Sequence, residues 1–171
     1  MKKNTKQKII DSAIELFSKD SYEKVSIAQI CKNAKISNGI IYNYFRNKDE
    51  LFTYLIEEIT NRIEKQFKKI KGKSIQDRLE SFILLNIMIT KKEFPLIRIY
   101  REGQYKFIKY EQNLRKVYLK ALKIVYGREL KELEYLFIIS GIRYININFV
   151  KRNIEVDEKF LTHILLNGFF N

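Results

Sequence analysis

The chain has 171 residues, enough for one compact unit or for a small head on a larger body, and its 46% hydrophobic content can supply a core. One proline and six glycines are few for a turn-rich all-β fold, and a lone cysteine, Cys31, excludes an internal disulfide and suits a reducing cytoplasm. The formal charge of +13 favours an anionic partner, yet residues 1–50 hold ten Lys plus Arg against six Asp plus Glu, so most of the excess lies further along and charge alone locates no site.

The N-terminus is Lys-rich but meets Asp11 and Glu15 at once, without the apolar stretch of a signal peptide. A first helix is expected over about 6–19, with Ile9, Ile10, Ala13, Leu16 and Phe17 as its inward stripe. Ser26 followed by Gln29 reads as a capping box, with Val25 and Ile30 as its hydrophobic staple, and starts a second helix that reaches about Ala34. Cys31 falls in that helix and reads as a small buried hydrophobe. Lys35 and Ile36 make a tight connection. Ser37 then reads as the N-cap of a short third helix carrying Asn38, Gly39, Ile40, Ile41, Tyr42 and Asn43. Ile40, Ile41 and Phe45 are the expected anchors, which leaves Ser37, Asn38, Gly39, Tyr42, Asn43 and Tyr44 outside. That polar, small and aromatic face suits a helix lying in the DNA major groove. Glycine inside a helix costs about 1 kcal/mol against alanine, so Gly39 suggests close approach of a partner to the backbone. Asn47 with Glu50 caps a long fourth helix over about 48–70, whose apolar face is Leu51, Phe52, Leu55, Ile56, Ile59, Ile63 and Phe67.

These residues carry a resemblance. Ala13-Ile14-Glu15-Leu16-Phe17, the Ser26-capped helix, the phrase Lys35-Ile36-Ser37-Asn38-Gly39-Ile40-Ile41-Tyr42-Asn43-Tyr44-Phe45 and the closing Lys48-Asp49-Glu50-Leu51 together resemble the DNA-binding head of the TetR family of transcriptional regulators. The match is close through about the first fifty residues. It departs at Lys35, where the family usually has glycine, and at Tyr44, where many members have histidine. The resemblance implies an all-α chain: a three-helix helix-turn-helix head over 1–50, joined by the long helix to a helical effector-binding and dimerisation body over 51–171. It implies a sequence-specific DNA-binding regulator, most simply a ligand-responsive repressor. Such a protein would bind a palindromic operator as a homodimer and be released by a small apolar or aromatic effector. It also implies DNA contacts from Ser26, Ser37, Asn38, Gly39, Tyr42, Asn43, Tyr44 and Lys48. Ser26 and Lys48 would meet phosphates, Tyr42 and Tyr44 phosphates or a thymine methyl, and Asn38 adenine, with Asn43 in reserve. On that reading alanine at Lys48 weakens binding to every sequence and lowers the salt dependence by about one counterion.

In the body, Ser74 with Asp77 caps a fifth helix to about Lys92, Phe94 and Pro95 mark a break, a short helix follows over about 95–102, and Gly103 is a possible hinge. Further helices are expected over about 105–125, 128–152 and 157–169. Asn86, Tyr100, Tyr118 and Tyr144 interrupt apolar faces, and with Phe82 as a wall they are the candidates for the effector pocket that the resemblance implies. The helix over 128–152 is apolar over much of its girth, which means burial on more than one side. The resemblance implies that it pairs with a second copy of the chain through Ile138, Gly141, Ile142, Ile145 and Phe149, together with Phe160, Ile164 and Leu165 of the last helix. The run from Phe82 to Ile89 is broken by Asn86 and is too short to span a bilayer, so no membrane partner is expected.

An enzyme is not expected. His163 is the single histidine, and no Cys/His cluster, glycine-rich phosphate loop or nucleophile motif stands in the chain, so no catalytic residue, metal or cofactor is assigned. The alternative to a ligand-responsive repressor is a DNA-binding architectural factor without effector control.

Overall fold

The computed structural model describes residues 4–92, 99, 108–152 and 157–167. Among these residues all regular structure is helical: α1 (Thr5–Lys19), α2 (Ile27–Ala34), α3 (Asn38–Ile41), α4 (Lys48–Phe67), α5 (Ile75–Lys92), α6 (Ile108–Tyr126), α7 (Glu132–Arg152) and α8 (Glu158–Asn167). The short helix expected over 95–102 and the hinge at Gly103 lie outside the described residues. The chain divides into two compact units, one within Met1–Asn61 and Pro95–Gln112, the other within Arg62–Phe94 and Asn113–Asn171.

In the first unit, local chemistry starts each helix. The Asn4 side chain accepts the Gln7 N–H at 2.8 Å and opens α1. At α2 the capping box forms as expected: Ser26 Oγ accepts the Gln29 N–H, and the Gln29 side chain accepts the Ser26 N–H at 2.7 Å. Asn47 Oδ1 accepts the Glu50 N–H at 2.8 Å to open α4, while the Glu50 carboxylate takes the N–H of Arg46 rather than of Asn47. The core behind these caps joins Ile9, Ile10, Ala13 and Phe17 of α1 to Ile30, Cys31 and Ala34 of α2, to Ile41 and Phe45, and to Leu51, Phe52, Leu55 and Ile56 of α4. Leu16, expected inside, is only half-buried. Phe17, Tyr22 and Phe52 form a ring cluster with centroids 4.8–5.8 Å apart. Cys31 is fully buried in this core, and burial pushes its thiol pKa up, as suits an inert small hydrophobe.

In the second unit the Asp77 carboxylate accepts the N–H groups of Ser74 and Lys73, and Ser74 Oγ accepts the Asp77 N–H, so α5 begins on a reciprocal cap. Gly72 makes that turn possible: its φ is +145°, and a Cβ there would lie 2.3 Å from Asp77 Cβ. Gly127, at φ +70°, terminates α6. Arg78 Nε donates to the carbonyl of Val125, tying α5 to the end of α6. The Glu134 carboxylate gathers Arg128 at two nitrogens together with the Lys131 N–H at the start of α7, which holds its pKa down at about 2. The core is built from Leu79, Phe82 and Ile83 of α5, Leu114, Val117, Ala121 and Leu122 of α6, and Tyr135, Ile138, Ile139 and Ile142 of α7. α5 packs against both α7 and α8.

Candidate nucleic-acid interface

The chain from Ser37 to Phe45 separates sharply into two sets. Ile41 is fully buried and Phe45 nearly so, and they root the segment in the core. Ser37, Asn38, Gly39, Ile40, Tyr42, Asn43 and Tyr44 are all exposed, Tyr42 by 56%. Ile40, expected as an anchor, therefore sits at the surface; a helix this short turns a single residue fully inward. The helix is also shorter than expected. It closes at Ile41, and the chain continues in tight turns through Asn43 N–H to Ile40 and Tyr44 N–H to Ile41. Ser37 stands at the N-cap position, but its side chain makes no capping bond. Among the described residues, the side chains of Asn38, Tyr42, Asn43 and Tyr44 spend no hydrogen bond within the chain. Their polar groups are available to a partner.

Four residues shape this surface. A Cβ built at Gly39 meets no atom within 4 Å, so no packing demand of the chain explains the glycine. Lys35, the residue between α2 and α3, adopts φ 57° and ψ 47°, and its N–H satisfies carbonyls at the end of α2. It performs the left-handed turn that glycine makes more cheaply. Ser26 is exposed, and its hydroxyl is engaged with Gln29 in the capping box. Lys48 is placed differently from a free phosphate ligand. Its half-buried ammonium donates to the carbonyls of Tyr22 at 2.9 Å and Val25 at 3.0 Å and lies 4.2 Å from the centroid of the Tyr22 ring.

Of the residues expected around an effector, three come together in the second unit. Phe82 and Asn86 of α5 are buried with Tyr118 of α6. Tyr118 O–H donates to Asn86 Oδ1 at 3.0 Å, and Asn86 Nδ2 donates to the Phe82 carbonyl at 2.8 Å. Phe67, Phe82 and Tyr118 make a ring cluster around this pair, a grouping that spacing within α5 alone does not reveal. Burial pushes the Tyr118 phenol up to about 12. Tyr144 stands apart, 73% exposed on α7, and Tyr100 lies outside the described residues.

The residues expected at an interface between two chains also divide. Ile138 and Ile142 are buried within their own chain. Gly141 and Ile164 are half-buried, and Phe160 is 57% exposed. The side chains of Ile145, Phe149 and Leu165 lie outside the described residues. Among its described residues α7 exposes the large hydrophobics Leu133, Leu136, Phe137 and Tyr144, spaced three to four residues and then two turns apart on one face. Among the described residues no helix is long and apolar enough to cross a membrane.

Comparison with known proteins agrees with this geometry. Residues 9–55 match the family model for bacterial regulatory proteins of the tetR family. The HTH-type transcriptional regulator QacR of Staphylococcus aureus is 30% identical over 132 residues, covering 72% of this chain and 69% of that protein. The HTH-type transcriptional regulator HbdR of an Aromatoleum species is 34% identical over 68 residues, covering 39% of this chain and 30% of that protein. YuxN of Bacillus subtilis, an uncharacterized HTH-type transcriptional regulator, is 25% identical over 157 residues, covering 84% of this chain and 54% of that protein. The matches thus span about half or less of the length of these last two relatives. In fold, a TetR-like transcriptional regulator from a Rhodococcus species superposes with a TM-score of 0.79 at 21% identity, over 94% of this chain and 92% of that one. FadR of Bacillus subtilis, solved in complex with stearoyl-CoA, superposes with a TM-score of 0.69 at 20% identity, over 95% and 98%. The relatives are regulators, not enzymes. The chain belongs to the TetR family of bacterial regulatory proteins.

Proposed function

We propose that this chain is a ligand-responsive repressor that binds a palindromic operator as a homodimer. Residues 1–50 act as the DNA-binding head and 51–171 as the effector-binding and dimerisation body. The observation that carries the reading is the exposed run of Ser37, Asn38, Gly39, Tyr42, Asn43 and Tyr44 rooted by buried Ile41 and Phe45. Asn38 makes the bidentate adenine contact, with Asn43 beside it, and Tyr42, Tyr44 and Ser26 meet the backbone or a thymine methyl. Gly39 lets the backbone come close.

The stripe of Leu133, Phe137 and Tyr144 on α7, with Phe160 on α8, supports pairing with a second copy, since an isologous interface needs a self-complementary apolar face. A two-fold pair presents two heads to an inverted repeat. The buried Phe82, Asn86 and Tyr118 group supports an apolar or aromatic effector, with Asn86 and Tyr118 supplying directional hydrogen bonds. The FadR structure with its acyl-CoA gives precedent for an effector with a long apolar part. The effector acts by binding the non-DNA state more tightly than the DNA state. A chain of this kind works in the cytoplasm.

The test is selection of duplexes from a random pool, then footprinting of the winner with and without candidate acyl and aromatic ligands. An inverted-repeat footprint released by one ligand supports the whole reading. A footprint that no ligand releases leaves the architectural factor, and no sequence preference removes the DNA reading.

A further inference from the structure

We infer that Lys48 is a positioning residue for DNA reading rather than a phosphate ligand; the inference rests on the DNA-binding function proposed above. Lys48 is the first residue of α4, yet its ammonium reaches back 23 and 26 residues in sequence to the carbonyls of Val25 and Tyr22. Those carbonyls belong to the loop that ends at Ser26, the N-cap of α2. Two of the three ammonium N–H donors are thus spent on carbonyls, and the charge lies over the face of the Tyr22 ring. The neighbouring residue completes the clasp, for Tyr22 O–H donates to Asp49 Oδ1. Tyr22 is itself buried between Phe17 and Phe52.

The consequence is geometric. α2, α3 and the turn after it all lie between the loop at 22–25 and the start of α4 at Lys48. One side chain therefore fixes both ends of the reading unit to each other. α3 has only one fully buried residue of its own, Ile41, so its orientation depends on what holds its flanks. A surface lysine that only neutralises phosphate needs no carbonyl partners and no ring beneath it.

Counterion release separates the two roles. A lost phosphate contact lowers the slope of log K against log[salt] by about 0.9 and weakens all duplexes alike. A lost positioning contact leaves the slope and weakens only the selected sequence. Lys48→Met is measured against a duplex selected from a random pool by the unmodified chain and against a scrambled duplex of equal length. The expected result is a loss of about tenfold or more on the selected duplex, at most about twofold on the scrambled one, and an unchanged slope. A slope reduced by about one, or equal losses on both duplexes, overturns the inference while leaving the DNA reading intact. An unmodified chain that selects no duplex sinks both. Should Lys48→Met fail to fold, the unmodified protein, alone and then with the scrambled duplex added, decides through the ¹⁵N–¹H signal of the Lys48 ammonium. An exchange-protected signal that the scrambled duplex does not move supports the clasp, and exchange as fast as that of exposed Lys65 overturns it.

Discussion

Gly39 sits in a helix with open space where a side chain would begin. Alanine there stabilises the free head by up to about 1 kcal/mol, because it restricts the unfolded chain and favours helix. Operator affinity falls at the same time if the backbone approaches DNA at this point. Chemical denaturation and a binding titration on the same Gly39→Ala protein check the two halves, and a variant that gains stability with full affinity removes the role assigned to the glycine. Lys35 presents the opposite case, a side chain where the backbone is left-handed. That conformation costs a non-glycine residue about 1–2 kcal/mol, part of which glycine returns through its freer unfolded state. Lys35→Gly is expected to raise stability by about 0.5–1 kcal/mol in a denaturation series. The departure at Lys35 was readable in the sequence. That the chain still makes the left-handed turn, rather than rerouting it, is a property of the fold.

The helices differ in how openly their sequence declared them. α2, α4 and α5 begin at side-chain caps whose partners lie three residues apart, so their starts were legible. Ser26→Ala removes the α2 cap and costs about 1 kcal/mol of head stability by denaturation. The Tyr118–Asn86 bond joins α6 to α5 in a buried setting. Tyr118→Phe leaves Asn86 Oδ1 without its donor and costs about 1–3 kcal/mol at neutral pH. α7 was the hard case. A helix apolar nearly all round announces burial without saying which side faces its own chain, and only the structure shows that Ile138 and Ile142 are buried within it. The exposed stripe through Phe137 supplies the discriminating experiment: Phe137→Glu is expected to shift sedimentation equilibrium from dimer toward monomer while circular dichroism keeps its helical signal. An unchanged dimer moves the interface elsewhere.

Across the whole molecule, pH reads burial directly. Burial raises the phenol pKa of Tyr22, Tyr118 and Tyr126, that of Tyr118 to about 12. A tyrosine in the unfolded chain ionises near pH 10. Below that both states keep their protons and the phenols cost nothing. Above it the unfolded chain releases protons that the folded chain retains, so these groups subtract stability as pH rises from about 10 to about 12. Denaturation midpoints followed over that range are expected to fall, and less steeply in Tyr118→Phe. By itself the sequence determined the all-helical class, the starts of α2, α4 and α5, and the exposure of Ser37, Asn38, Gly39, Tyr42, Asn43 and Tyr44 around buried Ile41 and Phe45, because caps, periodicity and turn residues act over three or four neighbours. Only the tertiary structure decided which side of α7 is core, that Phe82, Asn86 and Tyr118 share one buried cluster, and that the Lys48 ammonium holds carbonyls rather than standing free. Those outcomes depend on contacts between residues more than twenty positions apart, and no local pattern encodes which distant partner a side chain will meet.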